Sequence, residues 1–126
     1  MRNSTREWIN AADLNLECIK AMELDINTVR QISHNAQQTI EKSFKSVIYE
    51  YNLNRKYIYV NNLLKLMKVL ETVINFDIDI KLIEKLDKHF DESDYSSEEL
   101  YSEITVKEAS EYVELAKKIY EEVIEL

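Results

Sequence analysis

Four polar residues recur at every fourth position near the first third of the chain and are the first candidates for chemistry. They are Arg30, His34, Gln38 and Lys42. In an α-helix, residues four apart lie on one face, so these side chains are expected to point the same way. Arg and Lys can hold a phosphate, and a neighbouring His can act as an acid or a base. The same spacing also fits an ordinary solvated helix face, on which Glu41 pairs with Lys45.

The other residues with catalytic or metal-binding chemistry are scattered along the chain. Cys18, His34 and His89 lack the paired spacing of a zinc site, so we predict no metal and no cofactor. Neither His follows a Glu by three residues, as di-iron bundles require. Cys18 falls on an apolar stripe, so we interpret it as a buried structural thiol rather than a nucleophile. A single Cys forms no internal disulfide and is typical of a reducing compartment.

Helices must position these residues, and the periodicity of the apolar residues predicts five helices. The first begins at a capping box, Ser4-x-x-Glu7, and carries two adjacent apolar stripes. One stripe contains Trp8, Ala11, Asn15, Cys18 and Met22, and the other contains Ile9, Ala12, Leu16 and Ile19. The second helix is predicted from about Thr28 to Tyr51. Its core stripe is Val29, Ile32, Ala36, Ile40, Phe44, Val47 and Tyr51.

Polar breaks separate the remaining predicted helices. A loop at 52–56 precedes a third helix with the apolar residues Leu63, Leu66, Leu70 and Val73. A break at 75–79 precedes a fourth helix with Leu82, Ile83, Leu86 and Phe90, and 91–97 reads as a loop. A second capping box, Thr105-x-x-Glu108, begins the last helix, with the stripe Ala109, Tyr112, Ala116, Ile119 and Val123. Because the connections are short, we predict an all-α, antiparallel, up-and-down helical bundle of four to five helices.

Composition agrees with that fold and excludes several classes of function. The 126 residues include no Gly and no Pro. Phosphate-binding glycine loops, dinucleotide fingerprints and nucleophile elbows all require Gly, and tight hairpins prefer it. The longest apolar run, 57–60, is far shorter than the ~20 residues that span a bilayer, and no signal peptide is readable. We therefore expect a single domain over 1–126 in a soluble, cytoplasmic protein without membrane contact.

Charge is distributed unevenly along the chain, whose formal net charge is -8. Segment 1–41 carries -2, segment 42–88 carries +3 and segment 91–126 carries -9. The acidic balance argues against duplex DNA, whereas the basic middle could contact a nucleotide or RNA. The candidate contacts are Gln38, Lys42, Lys45, Arg55 and Lys56. The acidic last segment indicates a second surface that could serve a partner protein, although such charges also simply solvate helix faces.

Two stretches of the sequence are similar to the motifs of a known family. The second predicted helix contains Ala36, Gln38, Glu41, Lys42 and Lys45, and the first contains Trp8, Ala12, Asp13 and Leu14. These resemble the HEPN family (higher eukaryotes and prokaryotes nucleotide-binding domain). Its second helix reads roughly Ala-x-Gln-Ala-x-Glu-Lys-x-x-Lys and its first roughly Trp-x-x-x-Ala-x-x-Asp-Leu. The helix order and an Ala-rich last helix are also similar, so the resemblance covers nearly the whole chain.

The resemblance implies a homodimeric, nucleotide- or RNA-binding module, the partner of a nucleotidyltransferase in a toxin–antitoxin-type pair. The two apolar stripes on the first helix, together with Tyr112 and Tyr120 on the last, are further support for a dimer. RNases of the family use an Arg followed, after four to six residues, by a His. Here only three residues separate Arg30 from His34, so the resemblance implies a binding module without the RNase motif. The alternative is a metal-independent endoribonuclease toxin with Arg30 and His34 as a displaced catalytic site.

A second departure from the family lies outside the Arg–His spacing. Many relatives carry a His before the third helix and an Arg after the fourth, where this chain has Asn61 and Asp94. Both substitutions remove a group that can be positively charged, which again favours binding over catalysis.

Overall fold

The structure is a computed structural model that describes residues 1–90 and 104–126, and within them every regular element is helical. The α-helices are α1 (Asn3–Lys20), α2 (Val29–Glu50), α3 (Leu63–Leu70), α4 (Ile80–Phe90) and α5 (Val106–Ile124), and a 3-10 helix covers Arg55–Tyr59. The predicted all-α bundle is therefore confirmed. The predicted loop at 91–97, with Asp94, lies outside the described residues. None of the described helices is long and apolar enough to traverse a bilayer.

Helix α2 is the central helix and packs against α1, α3, α4 and α5. Its apolar residues at three- and four-residue spacing are fully enclosed, among them Ile40, Phe44 and Ile48. The Phe44 ring lies 5.2 Å from that of Phe76, in the connection between α3 and α4. Enclosing one such side chain stabilises the fold by about 1.5–3 kcal/mol. The predicted helix over 28–51 is confirmed to within a residue at each end.

Helix α1 runs antiparallel to α2, and a carboxylate from α2 takes the place of the predicted Ser4 cap. The helix begins at Asn3, and Ser4 lies inside its first turn, so the predicted capping box is wrong. Glu50 Oε1 instead accepts hydrogen bonds from the Arg2 backbone N–H (3.2 Å) and the Thr5 hydroxyl (3.1 Å). These bonds, the Arg2 one above all, lower the pKa of Glu50. A negative charge there is favourable because the N-terminal end of a helix is partially positive.

Only one of the two predicted stripes on α1 forms the core. Its buried residues include Ile9, Ala12, Leu16 and Ile19. Trp8, on the other stripe, is half-buried and stacks on Tyr49 with ring centroids 6.4 Å apart. Cys18 is exposed, so the prediction of a buried thiol is wrong. The two stripes are separated by about 100° around the helix, so only one can face α2 fully.

The chain leaves α2 through a residue in the left-handed conformation. Because α2 ends at Glu50, Tyr51 is the exposed C-cap rather than a core residue as predicted. Asn52 has a φ of 52°, and the Leu53 N–H donates to the Ile48 carbonyl (2.8 Å). Asn tolerates this conformation better than most residues, and this chain has no Gly to use. The predicted loop at 52–56 is correct only in its first part, since the 3-10 helix begins within it.

Helix α3 is held at its N-terminus by a residue of α4. The two carboxylate oxygens of Asp87 accept hydrogen bonds from the backbone N–H groups of Leu63 (2.8 Å) and Leu64 (3.0 Å). Asn62 is the local N-cap, and its side chain accepts from the Lys65 N–H. The start of α3 is thereby fixed relative to α4.

Helix α5 begins at the predicted capping box. The Thr105 hydroxyl oxygen accepts from the Glu108 N–H, and the Glu108 carboxylate accepts from the Thr105 N–H, both at 3.0 Å. The predicted stripe is buried throughout: Ala109, Tyr112, Ala116, Ile119 and Val123. Tyr112 lies within the core of its own chain and so gives no support for a dimer, whereas Tyr120 is half-buried.

Candidate nucleotide-binding site

A pocket of about 250 Å³ lies on the polar side of α2. It is lined by His34, Gln37, Gln38 and Glu41 from α2, by Asn61 ahead of α3 and by Phe90 at the end of α4. The α2 residues are three or four positions apart, so they share one face. The lining offers three amides, a carboxylate, an imidazole and a phenyl ring.

Phe90 brings together the two residues that the sequence singled out as catalytic candidates. The Arg30 guanidinium carbon lies 5.3 Å from the centre of the Phe90 ring. The His34 ring centroid lies 5.2 Å from that of Phe90, with the planes tilted by 45°. Both Arg30 and His34 are exposed, so a ligand at the mouth of the pocket can reach them. Contact of a cation with an aromatic face contributes about 0.5–1 kcal/mol at such sites and fixes the side-chain direction.

A chain of hydrogen bonds joins the amides in the floor of the pocket. The Gln38 amide donates to Gln37 Oε1 (2.7 Å), and the Gln37 amide donates to Glu41 Oε1 (3.5 Å). Lys45 Nζ donates to Glu41 Oε2 and to Asn61 Oδ1, both at 3.4 Å. Gln37, Glu41 and Lys45 are only 4%, 8% and 5% exposed. A buried charge pair of this kind holds a fixed geometry because losing either partner leaves an uncompensated charge.

Lys42 and Lys45, predicted to contact phosphate, do not line the pocket. The Lys45 ammonium is buried against Glu41, and it also lies 5.7 Å from the centre of the Trp8 ring. Lys42 is half-buried, and its ammonium donates to Asn15 Oδ1 (2.7 Å) in the α1–α2 interface. In this geometry both lysines act inside the bundle and leave the open face of the pocket to other residues.

Arg55 and Lys56, the last two predicted contacts, lie on the 3-10 helix and not in the pocket. Both are exposed. The Arg55 guanidinium carbon stands 3.9 Å from the centre of the Tyr49 ring, and Lys56 Nζ stands 5.1 Å from that of Tyr57. The predicted site residues therefore divide into three groups: His34 and Gln38 in the pocket with Arg30 on the Phe90 ring, Lys42 and Lys45 in the interior, and this surface pair.

Phe90 lines the pocket although the sequence placed it only in an apolar stripe. Its spacing from Leu86 indicates a core residue, and it is in fact half-buried with its ring on Arg30 and His34. Asn61 stood out only as a departure from the family pattern. The contact of these two residues with α2 depends on the tertiary arrangement, which periodicity along one helix does not encode.

A larger cavity of about 590 Å³ suits a phosphate ligand less well. It is lined by Asp77, Ile78, Asp79, Leu82, Ser110, Glu111, Glu114, Leu115 and Lys118. Its only cationic side chain, Lys118, already donates to the Asp77 carbonyl. Four carboxylates around it repel an anion, so the α2 pocket is the candidate nucleotide site.

Metal ligation finds no support in the described part of the chain. Among residues 1–90 and 104–126, no three His, Cys, Asp or Glu side chains converge as metal ligands would. Among the described residues that line it, the α2 pocket has one imidazole and one carboxylate, and that carboxylate pairs with Lys45.

The described part of the chain is a helical bundle with a polar pocket on its central helix, α2. The HEPN domain model matches residues 5–126, so the chain belongs to the HEPN family, as its sequence motifs indicated. This places it among nucleotide- or RNA-related modules, and domains of this family commonly dimerise and bind RNA. Comparison with curated proteins and with solved structures found no match.

Proposed function

We propose that this chain is a nucleotide- or RNA-binding HEPN module and that the α2 pocket receives one base. The observation that supports this is the lining, in which the amides of Gln37, Gln38 and Asn61 occur together with the aromatic ring of Phe90. Each amide has both donors and an acceptor, which the polar edge of a base requires, and a phenyl ring can pack against the base. At about 250 Å³ the pocket is slightly smaller than the ~300–1,000 Å³ of typical ligand sites, which fits one base.

Arg30 and His34 provide the phosphate end of the proposed site. Both lie at the exposed rim on Phe90, and the guanidinium matches a phosphate with two parallel hydrogen bonds. Lys45 has a positioning role, because its ammonium holds both Glu41 and Asn61 in place. Lys42 stabilises the contact between α1 and α2 through Asn15.

Calorimetric titration with the four ribonucleoside monophosphates tests the base site. We expect Gln38→Leu to weaken binding at least about tenfold, because the loss of its hydrogen bonds leaves polar atoms of the base unpaired. Gln31→Leu is the matched control, since Gln31 is an exposed glutamine of α2 that does not line the pocket. Equal weakening in both variants, or no binding by the unmodified chain at millimolar nucleotide, contradicts the proposed site.

A second candidate function is metal-independent RNA cleavage, and the shared contact of Arg30 and His34 with Phe90 favours it. His34 would accept the proton of a ribose 2′-hydroxyl while Arg30 stabilises the charge that develops on the phosphate. We rank this below binding because the two side chains lie one turn apart on a single helix face, with a shorter spacing than the family's RNases use. Robust cleavage of a mixed RNA pool, lost in both Arg30→Ala and His34→Ala, would establish it over the binding module.

We also propose a cytoplasmic homodimer that pairs with a nucleotidyltransferase in a toxin–antitoxin-type system. Family membership supports both contacts, and the exposed carboxylates of Glu114 and Glu121 on α5 and of Glu125 at its C-cap provide a charged surface for a partner protein. Light scattering tests the dimer, for which we expect about twice the 15.0 kDa chain mass. Co-purification with a nucleotidyltransferase encoded beside this chain tests the pairing, and Glu121→Lys with Glu125→Lys should weaken it.

A further inference from the structure

The segment that follows α2 differs in charge from the rest of this acidic protein. From residue 51 to residue 70 there is no Asp or Glu, but there are four basic side chains, Arg55, Lys56, Lys65 and Lys68. The same stretch contains Tyr51, Tyr57 and Tyr59. Cations interleaved with aromatic rings are the composition of surfaces that bind single-stranded nucleic acid.

The structure holds the first part of this segment in a fixed geometry. The left-handed Asn52 turns the chain back so that Arg55 lies on the Tyr49 ring at 3.9 Å, and Tyr49 in turn stacks on Trp8. Arg55 also donates to the Asn52 side chain (3.3 Å). The guanidinium is therefore anchored on the bundle while the residue stays exposed, so less side-chain entropy is lost when it binds a phosphate.

The exposure of the Tyr59 ring is the property of this surface that packing of the fold does not explain. Tyr59 is 86% exposed, so burial of its ring contributes little to the stability of the fold, and Tyr51 is 42% exposed. Lys56, three residues before Tyr59, is exposed as well. A solvent-facing ring on the same short 3-10 helix as two exposed cations can accept the face of a base while the cations contact the phosphates of the strand.

We propose that the surface formed by residues 51–59 binds single-stranded RNA, with a base stacked on Tyr59 and with Arg55 and Lys56 on the phosphates. The inference rests on the proposed RNA-related function but uses a surface separate from the α2 pocket, none of whose lining residues belongs to this segment. Single strands are the fitting ligand because in a duplex the base faces are already stacked on one another and are not available to Tyr59.

Fluorescence anisotropy with a labelled twelve-nucleotide single-stranded RNA tests this surface. We expect Tyr59→Ala to raise the Kd about tenfold, as for the loss of one stacked base, and Tyr59→Phe to leave it unchanged. Ile26→Ala is the control for removing an exposed apolar side chain, since Ile26 is 81% exposed and lies between α1 and α2. Arg55→Ala should lower the slope of log Kd against log salt by about 0.7, the value for one phosphate contact on a single strand.

Three results would overturn the inference: no change in Kd with Tyr59→Ala, equal binding of the annealed duplex, or single-stranded DNA bound tenfold more tightly than RNA. Its failure is distinguishable from failure of the base pocket because Gln38→Leu tests the pocket with mononucleotides. Loss of mononucleotide binding in Gln38→Leu with the Tyr59 effect intact supports two separate sites. Loss of mononucleotide binding in Gln38→Leu with no change in the RNA Kd in Tyr59→Ala removes the 51–59 surface alone.

Discussion

Removal of the Asp87 carboxylate should be among the most damaging single changes outside the apolar core. Asp87 is 8% exposed and accepts hydrogen bonds from the backbone N–H groups of Leu63 and Leu64. A hydrogen bond to a charged group contributes about 1.5–3 kcal/mol, and part of that is recovered where water can replace the carboxylate. For Asp87→Ala we therefore expect a loss of about 2–4 kcal/mol in the free energy of unfolding. Asp87→Asn should lose nearly as much, because it retains one acceptor but turns an NH₂ donor toward the second backbone N–H.

Urea denaturation followed by circular dichroism measures this effect. With a slope of about 2 kcal/mol per molar urea, Asp87→Ala should lower the midpoint by roughly 1–2 M. Asp79→Ala is the matched control, because Asp79 is exposed and caps only its own helix by accepting from the Lys81 N–H (2.9 Å). That change should cost about 1 kcal/mol. If Asp87→Ala is no more destabilising than Asp79→Ala, Asp87 does not fix the start of α3 as described.

Three further predictions concern stability. Thr105→Ala should cost about 1 kcal/mol in a urea melt because it removes a cap, whereas Ser4→Ala should change stability by less than about 0.5 kcal/mol. Asn52→Val should cost about 1–2 kcal/mol because a β-branched residue resists positive φ, and Asn52→Gly should not destabilise. Burial of the hydroxyl, and to a lesser extent the negative charges of Glu108 and Glu111, raise the pKa of Tyr112 to about 12. The unmodified chain should therefore lose stability as pH rises from 10 to 12, and Tyr112→Phe should lose less and be no less stable at pH 7.

Long helices with a regular apolar stripe were predictable from the sequence. α2 and α5 match their predicted extents closely, because their stripes are unbroken and α5 has a local capping box. The face of α1 was not predictable, since two stripes of similar apolarity lie side by side and only packing on α2 selects the one with Leu16. The start of α1 was mispredicted for a related reason: Glu50, about 45 residues away in sequence, replaces the local Ser4 cap.

The candidate site was predictable in part. Helical periodicity placed Arg30, His34 and Gln38 on one face. In the structure His34 and Gln38 line the pocket, and Arg30 contacts the ring of Phe90, which also lines it. Spacing could not show that Lys45 is buried. A lysine beside Phe44 in sequence can be exposed or buried, and here its contacts with Glu41 and with Asn61, a residue ahead of α3, enclose it. Nor could spacing show Phe90 at the pocket, since that contact joins residues from two helices far apart in the chain.

The most direct test of the central claim is a nuclear magnetic resonance titration of the nitrogen-15-labelled chain with a ribonucleoside monophosphate. The side-chain NH₂ signals of Gln37, Gln38 and Asn61 report the pocket individually, because each amide lies in its lining. We predict that these three signals shift together and saturate at one equivalent of bound nucleotide. Shifts confined to Arg55 and Lys56, or side-chain amide signals that stay unchanged at saturating nucleotide, would contradict the assignment of the α2 pocket as the base-binding site.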